Sequence, residues 1–316
     1  MRLICPEQKN FSQTGKQILS KHFDCTFLDI DNEKDLNNLI SEFDILLIRF
    51  KLKISKKTLL NSTKLKFIIC PTTGLDHIDL DTIEKLGIKL FSLKNQSTFL
   101  RKVPSTAELT ILLILTLLRN YNQASKNVKT FLWRSNLERG FELNDKKIGI
   151  IGLGRLGRIV SKICYAFGAK IYFFDIDSNI NYKKYNRVSS IKELFETTDI
   201  VSIHIPLNNH TKNLIDINIF KQKKFKCKFL INTSRGEIIN SKSLIYALET
   251  QKIKGAGLDV IDKEEKNKEL INFSIKNDNL IITPHIGGYT YEAIEKTDKF
   301  LINNFLKYIN NGKNYN

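Results

Sequence analysis

The sequence predicts an α/β protein with two doubly wound parallel-sheet domains, one inserted into the other. Three observations carry this. Short apolar runs alternate with polar, helix-like segments along the whole chain, as strands joined by crossover helices do. A glycine-rich stretch in mid-chain sits between an apolar run and a helical pattern, the context of a phosphate-binding turn. The length of 316 residues exceeds the roughly 250–300 at which a single core stops growing.

In chain order, apolar runs at 3–5, 25–28, 45–48, 67–70 and 88–93 predict a first parallel sheet of about five strands. Pro104 then precedes Ser105-Thr106-Ala107-Glu108, which reads as a capping box with the serine as cap and Glu108 reaching back. The helix it opens runs to Leu118 and is apolar nearly all round. Its own fold or a second subunit must cover it. Residues 148–151 predict a strand, Gly152, Gly154 and Gly157 a turn into a helix that Gly168 ends, and a second strand delivers Asp175. Gly152 permits the tight turn, Gly154 lets the backbone approach a pyrophosphate, and Gly157 lets the helix lie close to the sheet. The helix N-terminus offers N–H groups to phosphates. Asp175 stands 18 residues past Gly157, where a carboxylate accepts from the adenosine ribose hydroxyls and repels a 2′-phosphate. With no arginine next to it to meet a phosphate, the cofactor expected is NAD, in a Rossmann-type domain. Runs at 200–205, 229–232, 256–260 and 280–283 supply four more strands, and a polar helix over 292–309 returns to the first lobe. The expected division is 1–97, a flavodoxin-like first lobe; 98–285, the inserted NAD domain; and 286–316, the return to the first lobe.

Composition narrows the class. The longest apolar stretch, 111–118, is far short of the ~20 residues of a membrane span. The start, MRLICPEQKN, has no apolar signal core, so a cytoplasmic location is expected. Five scattered cysteines without CxxC spacing read as reduced core thiols. The histidines show no ligand-like spacing, so no metal site is expected. The formal charge of +17 comes mostly from Lys spread along the chain in company with Asn and Ile. No recognition motif accompanies it, and nucleic acid is not an expected partner.

Two side chains suggest the chemistry. Arg235 follows the 229–232 strand, at the carboxyl edge where ligands of open α/β sheets bind. A guanidinium there can grip a carboxylate with two parallel bonds and polarise the adjacent carbonyl. His285 follows the 280–283 strand at the same edge. Reduction of a carbonyl by hydride needs a proton for the oxygen, and an imidazolium supplies it. Arg49, Lys51 and Lys53 follow the third run; their alternation suits either a phosphate grip or an ordinary exposed edge.

The motifs together resemble the D-isomer-specific 2-hydroxyacid dehydrogenases. Residues 73–79 (TGLDHID) resemble that family's first-lobe glycine loop, and 140–143 (GFEL) the segment leading into the nucleotide strand. HIPL at 204–207, NTSRG at 232–236, GAGLDV at 255–260 and PHIGG at 284–288 follow in the family's order. The resemblance implies a homodimeric enzyme that interconverts a small anionic D-2-hydroxy acid and its 2-oxo acid with NAD, with 1–97 and 286–316 as the substrate domain and dimerisation helices after residue 104 in the NAD domain. It implies catalytic roles for Arg235, His285 and Glu264, the last as the carboxylate partner of the histidine, with Glu265 one residue of slip away. It assigns the cofactor to Gly152, Gly154, Arg155, Leu156, Gly157, Asp175, His204, Pro206, Thr211, Thr233, Ser234, Asp259 and Gly287, with Asp259 holding the nicotinamide. The substrate falls to Arg49, Arg235 and the backbone around Thr73 and Gly74. Thr72 stands where many relatives have glycine, which would narrow the substrate pocket or shift the loop. The substrate leans towards the 3-phosphoglycerate, hydroxypyruvate and glyoxylate type. Phosphite or formate oxidation on the same scaffold and a non-enzymatic NAD-sensing regulator of corepressor type are the alternatives.

Overall fold

The computed structural model describes residues 1–133, 139–180 and 182–313, the side chains of 265, 312 and 313 excepted. The chain divides into two compact units: Met1–Val103 with the chain from Tyr289 onward, and Pro104–Gly288.

The first unit contains strands β1 (Arg2–Cys5), β2 (Asp24–Phe27), β3 (Ile45–Leu47), β4 (Phe67–Cys70) and β5 (Lys89–Ser92), all parallel in the order β2-β1-β3-β4-β5. This is the flavodoxin-like order, with its switch point between β1 and β3. Alternate residues serve opposite faces, and both faces are buried. Ile4, Leu46, Ile68 and Cys70 belong to one core; Leu3, Cys5, Ile45, Leu47 and Ile69 belong to the other. Strands buried on both faces read as unbroken apolar runs, which is why the runs stand out. The second face is covered by the Tyr291–Lys313 helix through Leu301, Ile302 and Phe305. Phe300 stacks on Phe99 with ring centroids 3.8 Å apart. The unit boundaries fall after Val103 and after Gly288 rather than after 97 and 285. The Ser97–Leu100 helix extends the first core, with Leu100 buried in it.

The second unit contains β6 (Lys147–Ile151), β7 (Lys170–Phe174), β8 (Asn186–Arg187), β9 (Ile200–Ile203), β10 (Phe229–Asn232), β11 (Gly255–Leu258) and β12 (Leu280–Ile282). They form one parallel sheet in the order β12-β11-β10-β9-β6-β7-β8, with the switch point between β6 and β9. The Ser105–Leu118 helix packs on β10 and β11. Gly257 admits it, since a Cβ there would lie 3.0 Å from the Leu113 Cβ. Most of its apolar residues are buried, but Leu112 remains 58% exposed. The expected capping box is absent. Pro104 is the cap residue, its carbonyl accepts from Ala107 and Glu108, and Ser105 lies inside the first turn with its hydroxyl buried and unpartnered. Pro104 already has helical backbone angles (φ −86°, ψ −8°), so the first turn starts one residue earlier than the serine pattern suggests. Among the described residues no helix is long and apolar enough to cross a membrane.

Candidate active site

Every residue assigned to the second unit's site follows the carboxyl end of one of its parallel strands or sits in the helix after β6. The loops after β6 and β9 meet at the switch point. A Cβ on Gly152, whose φ is +89°, would come within 2.6 Å of the Ile205 side chain and 2.7 Å of the His204 carbonyl. A Cβ on Gly157 would lie 2.1 Å from the Gly152 carbonyl, so the helix touches the turn there. At Gly154 a Cβ would meet nothing within 4 Å; the space above that backbone is what a pyrophosphate needs. The Arg155–Ala166 helix begins at this point with no side-chain cap, and Leu156 lies in its first turn. The residues therefore fit a dinucleotide.

Asp175 follows β7. Its Oδ2 accepts from the Leu153 amide at 2.7 Å and its Oδ1 from the Asp177 amide at 3.0 Å, which leaves a lone pair on each oxygen for a ribose. One expectation is corrected here. An arginine does stand beside Asp175: Arg187, on β8, donates to the Asp175 carbonyl at 2.6 Å and to the Asp177 and Ile180 carbonyls. Its guanidinium is committed to the backbone of this loop, not offered to a phosphate.

His204 keeps some surface, but its Nδ1 does not. Nε2 lies 2.9 Å from the Ser202 hydroxyl, and Nδ1 is buried without a hydrogen-bond partner. Burial pushes the imidazole down to about 4, so it is neutral at physiological pH. Pro206 is exposed at the turn that Thr211 closes, its hydroxyl donating to the Pro206 carbonyl at 2.8 Å and accepting from the Asn208 amide.

After β10, Asn232 organises the next loop. Its side chain accepts from the Ser234 amide and hydroxyl and donates to the Arg235 carbonyl. Thr233 is buried, 2.9 Å from the Thr110 hydroxyl. Arg235 donates from Nη1 to the Ser234 carbonyl at 2.7 Å. Gly236 is required beyond it, because a Cβ would overlap the Ile261 backbone at 2.0 Å.

Asp259, after β11, is 1% exposed. Its Oδ1 accepts from the Thr283 hydroxyl at 2.6 Å and the Ile286 amide at 2.8 Å, and its Oδ2 from the Gly287 amide at 2.8 Å. Burial raises its carboxyl above the ordinary range, although these bonds oppose the shift. One lone pair on Oδ2 is left for a cofactor amide. The residue's larger visible task is to suspend the 283–287 loop. The His285 amide also donates to the Asp259 and Thr283 carbonyls, at 2.9 and 3.0 Å. So held, His285 has φ +55°, and Lys263 and Glu264 opposite it have φ +58° and +41°. Non-glycine residues in this region cost about 1–3 kcal/mol each and cluster at functional sites. The strained turns bring Glu264 Oε1 to 3.2 Å from His285 Nδ1. The alternative partner's side chain, that of Glu265, lies outside the described residues.

In the first unit, Thr73 is exposed and Gly74 half-buried. Thr72 turns inward. It is 4% exposed, with its hydroxyl on the Gly74 carbonyl at 2.8 Å and close to Cys70 Sγ. Arg49 corrects a larger expectation. It does not share an exposed edge with Lys51 and Lys53 but is 9% exposed, its Nη2 on Asp298 Oδ1 at 2.6 Å and the Thr297 hydroxyl at 3.2 Å, its Nη1 on the Pro71 carbonyl at 3.2 Å. The strand is covered on both faces, so the side chain turns to an internal carboxylate; Lys51 pairs outside with Asp31.

A dinucleotide turn at the switch point and a histidine–carboxylate pair on the same sheet edge define a nucleotide-dependent acid–base catalyst as the class. Residues 111–287 match the model of the D-isomer specific 2-hydroxyacid dehydrogenase NAD binding domain. The chain is 33% identical over 280 residues to D-3-phosphoglycerate dehydrogenase of Haemophilus influenzae, which covers 88% of this chain and 67% of that protein. It is 31% identical over 281 residues to hydroxypyruvate reductase of Thermotoga maritima, covering 87% and 88%. The solved structure of D-lactate dehydrogenase from Aquifex aeolicus, complexed with NAD and lactic acid, superposes with a TM-score of 0.83 at 26% identity, covering 98% of this chain and 96% of that one. The chain belongs to the D-isomer specific 2-hydroxyacid dehydrogenase family, whose members are NAD-dependent oxidoreductases acting on CH–OH donors.

Proposed function

We propose that this protein reduces a small 2-oxo acid of the hydroxypyruvate or glyoxylate type, or oxidises the matching D-2-hydroxy acid, with His285 as proton donor and acceptor. The 3.2 Å contact between His285 Nδ1 and Glu264 carries this reading. In the proposed reaction the carboxylate holds Nδ1 and Nε2 exchanges a proton with the substrate oxygen. Arg235 would hold the substrate carboxylate in its planar fork, and the backbone at Thr73 and Gly74 would bind the same group. The bound nicotinamide supplies the hydride acceptor or donor. Gly152, Gly154, Arg155, Leu156 and Gly157 would hold the pyrophosphate, Asp175 the ribose, and Asp259 the nicotinamide amide; His204, Pro206, Thr211, Thr233, Ser234 and Gly287 would line the remainder. Asp175 argues for NAD ahead of NADP.

The unphosphorylated acids come ahead of 3-phosphoglycerate because the guanidinium proposed for the phosphate is engaged inside the first unit. Homodimerisation is supported by exposed apolar side chains on and after the Tyr121–Lys129 helix, Tyr121, Val128, Phe131 and Trp133, which isolated chains rarely leave in water. Four fully buried thiols, with Cys25 half-buried and none in a disulfide, suit the cytoplasm. The deciding experiment is NADH consumption with a panel of 2-oxo acids. Turnover of hydroxypyruvate or glyoxylate at least as efficient as that of 3-phosphohydroxypyruvate is expected, and no turnover of any 2-oxo acid refutes the reading.

A further inference from the structure

Arg49 and the C-terminal helix share a contact that none of the assigned roles uses. Arg49 leaves β3 beside the switch point of the first sheet, where Glu7, after β1 and fully buried, accepts the Arg49 and Leu52 amides at 3.3 and 3.0 Å. The backbone of this turn is thereby fixed from below. The guanidinium packs over the Phe11 ring at 5.1 Å. Its Nη2 meets Asp298 on the C-terminal helix, and Asp298 is itself fully buried and held by the Ser12 amide at 2.7 Å. The remaining terminal nitrogen, Nη1, reaches the Pro71 carbonyl. Pro71 joins β4 to Thr72, Thr73 and Gly74.

We infer that Arg49 is a positioning residue for the substrate loop: clamped by Asp298, it fixes the Pro71 carbonyl and so sets the backbone amides of Thr73 and Gly74. The chemistry favours this over a purely stabilising role. A buried ion pair contributes little net stability over an apolar replacement, because two charges must be desolvated. What it supplies is geometry, and only a planar fork can hold an acceptor on the helix and a carbonyl on the loop at once. Gly74 is tied to Thr72 by the Thr72 hydroxyl, and the Leu93 amide holds the Thr72 carbonyl at 2.9 Å. A shift at Pro71 is therefore transmitted through a short, bonded stretch and not absorbed by slack. The C-terminal helix thus sets substrate affinity through a residue that never touches substrate.

The inference rests on the proposed function for its kinetic consequence but not for its structural one, so the test has two arms. Arg49→Lys keeps a charge for Asp298 but cannot bridge to Pro71. Hydrogen exchange of the Thr72–Gly74 amides in the whole protein is expected to speed up about tenfold or more. The KM for the 2-oxo acid should rise about tenfold, while the KM for NADH stays the same. Loss of one hydrogen bond to a charged group, about 1.5–3 kcal/mol, corresponds to at least this factor. Unchanged exchange overturns the clamp, and faster exchange with an unchanged substrate KM overturns its control of affinity. If the wild type turns over no 2-oxo acid, the proposed function fails while the exchange arm still decides the clamp. Should Arg49→Lys not fold, Asp298→Asn, which retains an acceptor for Arg49 but loosens its hold, carries the same two readings.

Discussion

Lowering the pH from 7 to 5 is expected to cost the second unit about 2 kcal/mol through His204 alone. The folded imidazole is pushed from 6.5 down to about 4, because burial shuts its Nδ1 away from water. As the pH falls, the unfolded chain takes up the proton first. The contribution of the neutral ring is complete above 6.5, is lost through the window from 6.5 to about 4, and levels off below it. At about 1.4 kcal/mol for each pH unit of separation the full loss is about 3.5 kcal/mol, of which roughly 60% has gone by pH 5. The assay compares thermal unfolding of wild type and His204→Gln at pH 7, 6 and 5. Other groups titrate in both proteins, so the difference between the two curves isolates the imidazole. Wild type should lose about 4–8 °C relative to the variant between pH 7 and 5, taking 2–4 °C per kcal/mol for a unit of this size. Melting temperatures that fall in parallel would show that the ring is protonated in the fold, and the burial argument would fail.

Arg235→Lys should lower kcat/KM for the 2-oxo acid by about 10- to 150-fold, the worth of a lost charged hydrogen bond, with the dissociation constant for NADH unchanged; near-normal turnover would remove Arg235 from the substrate. Glu264→Gln should reduce kcat by about tenfold or more through a loosened ring, but by less than the ~10²–10⁴-fold loss expected for His285→Ala. Equal losses in the two variants would make the carboxylate more than a holder of the ring. Asp175→Ala should narrow the preference for NAD over NADP about tenfold and weaken both cofactors, since the same carboxylate holds the Leu153 amide of the glycine turn. An unchanged ratio of kcat/KM values for the two cofactors would place the ribose elsewhere.

The central strands were legible because they are buried on both faces, which turns each into an unbroken apolar run. β8 was not, since Asn186–Arg187 carries no apolar residue and is a strand only by pairing with β7. Ser105 misled because proline and serine both begin helices, and local pattern cannot rank them. Arg49 misled for a different reason: the carboxylate that turns it inward is 249 residues away, and alternation along a strand says nothing about a partner so distant. The glycine turn was legible because its three glycines do separate jobs. The Lys263, Glu264 and His285 backbones were not, because their left-handed conformations are imposed by the surrounding loops on residues that do not prefer them.

Both sheets end in short strands. β2 and β5 have four residues each and begin with Asp24 and Lys89; β12 has three, and β8 only two, one of them a tethered arginine. An edge this brief offers another chain almost no ladder to extend, and charged residues at its ends discourage pairing further. The segments with real amyloid character, such as Ile200–Ile203 between β6 and β10, are interior and paired on both sides. Strand-to-strand aggregation of this Ile- and Leu-rich chain is therefore gated by unfolding, and its hazard begins with the opening of a sheet.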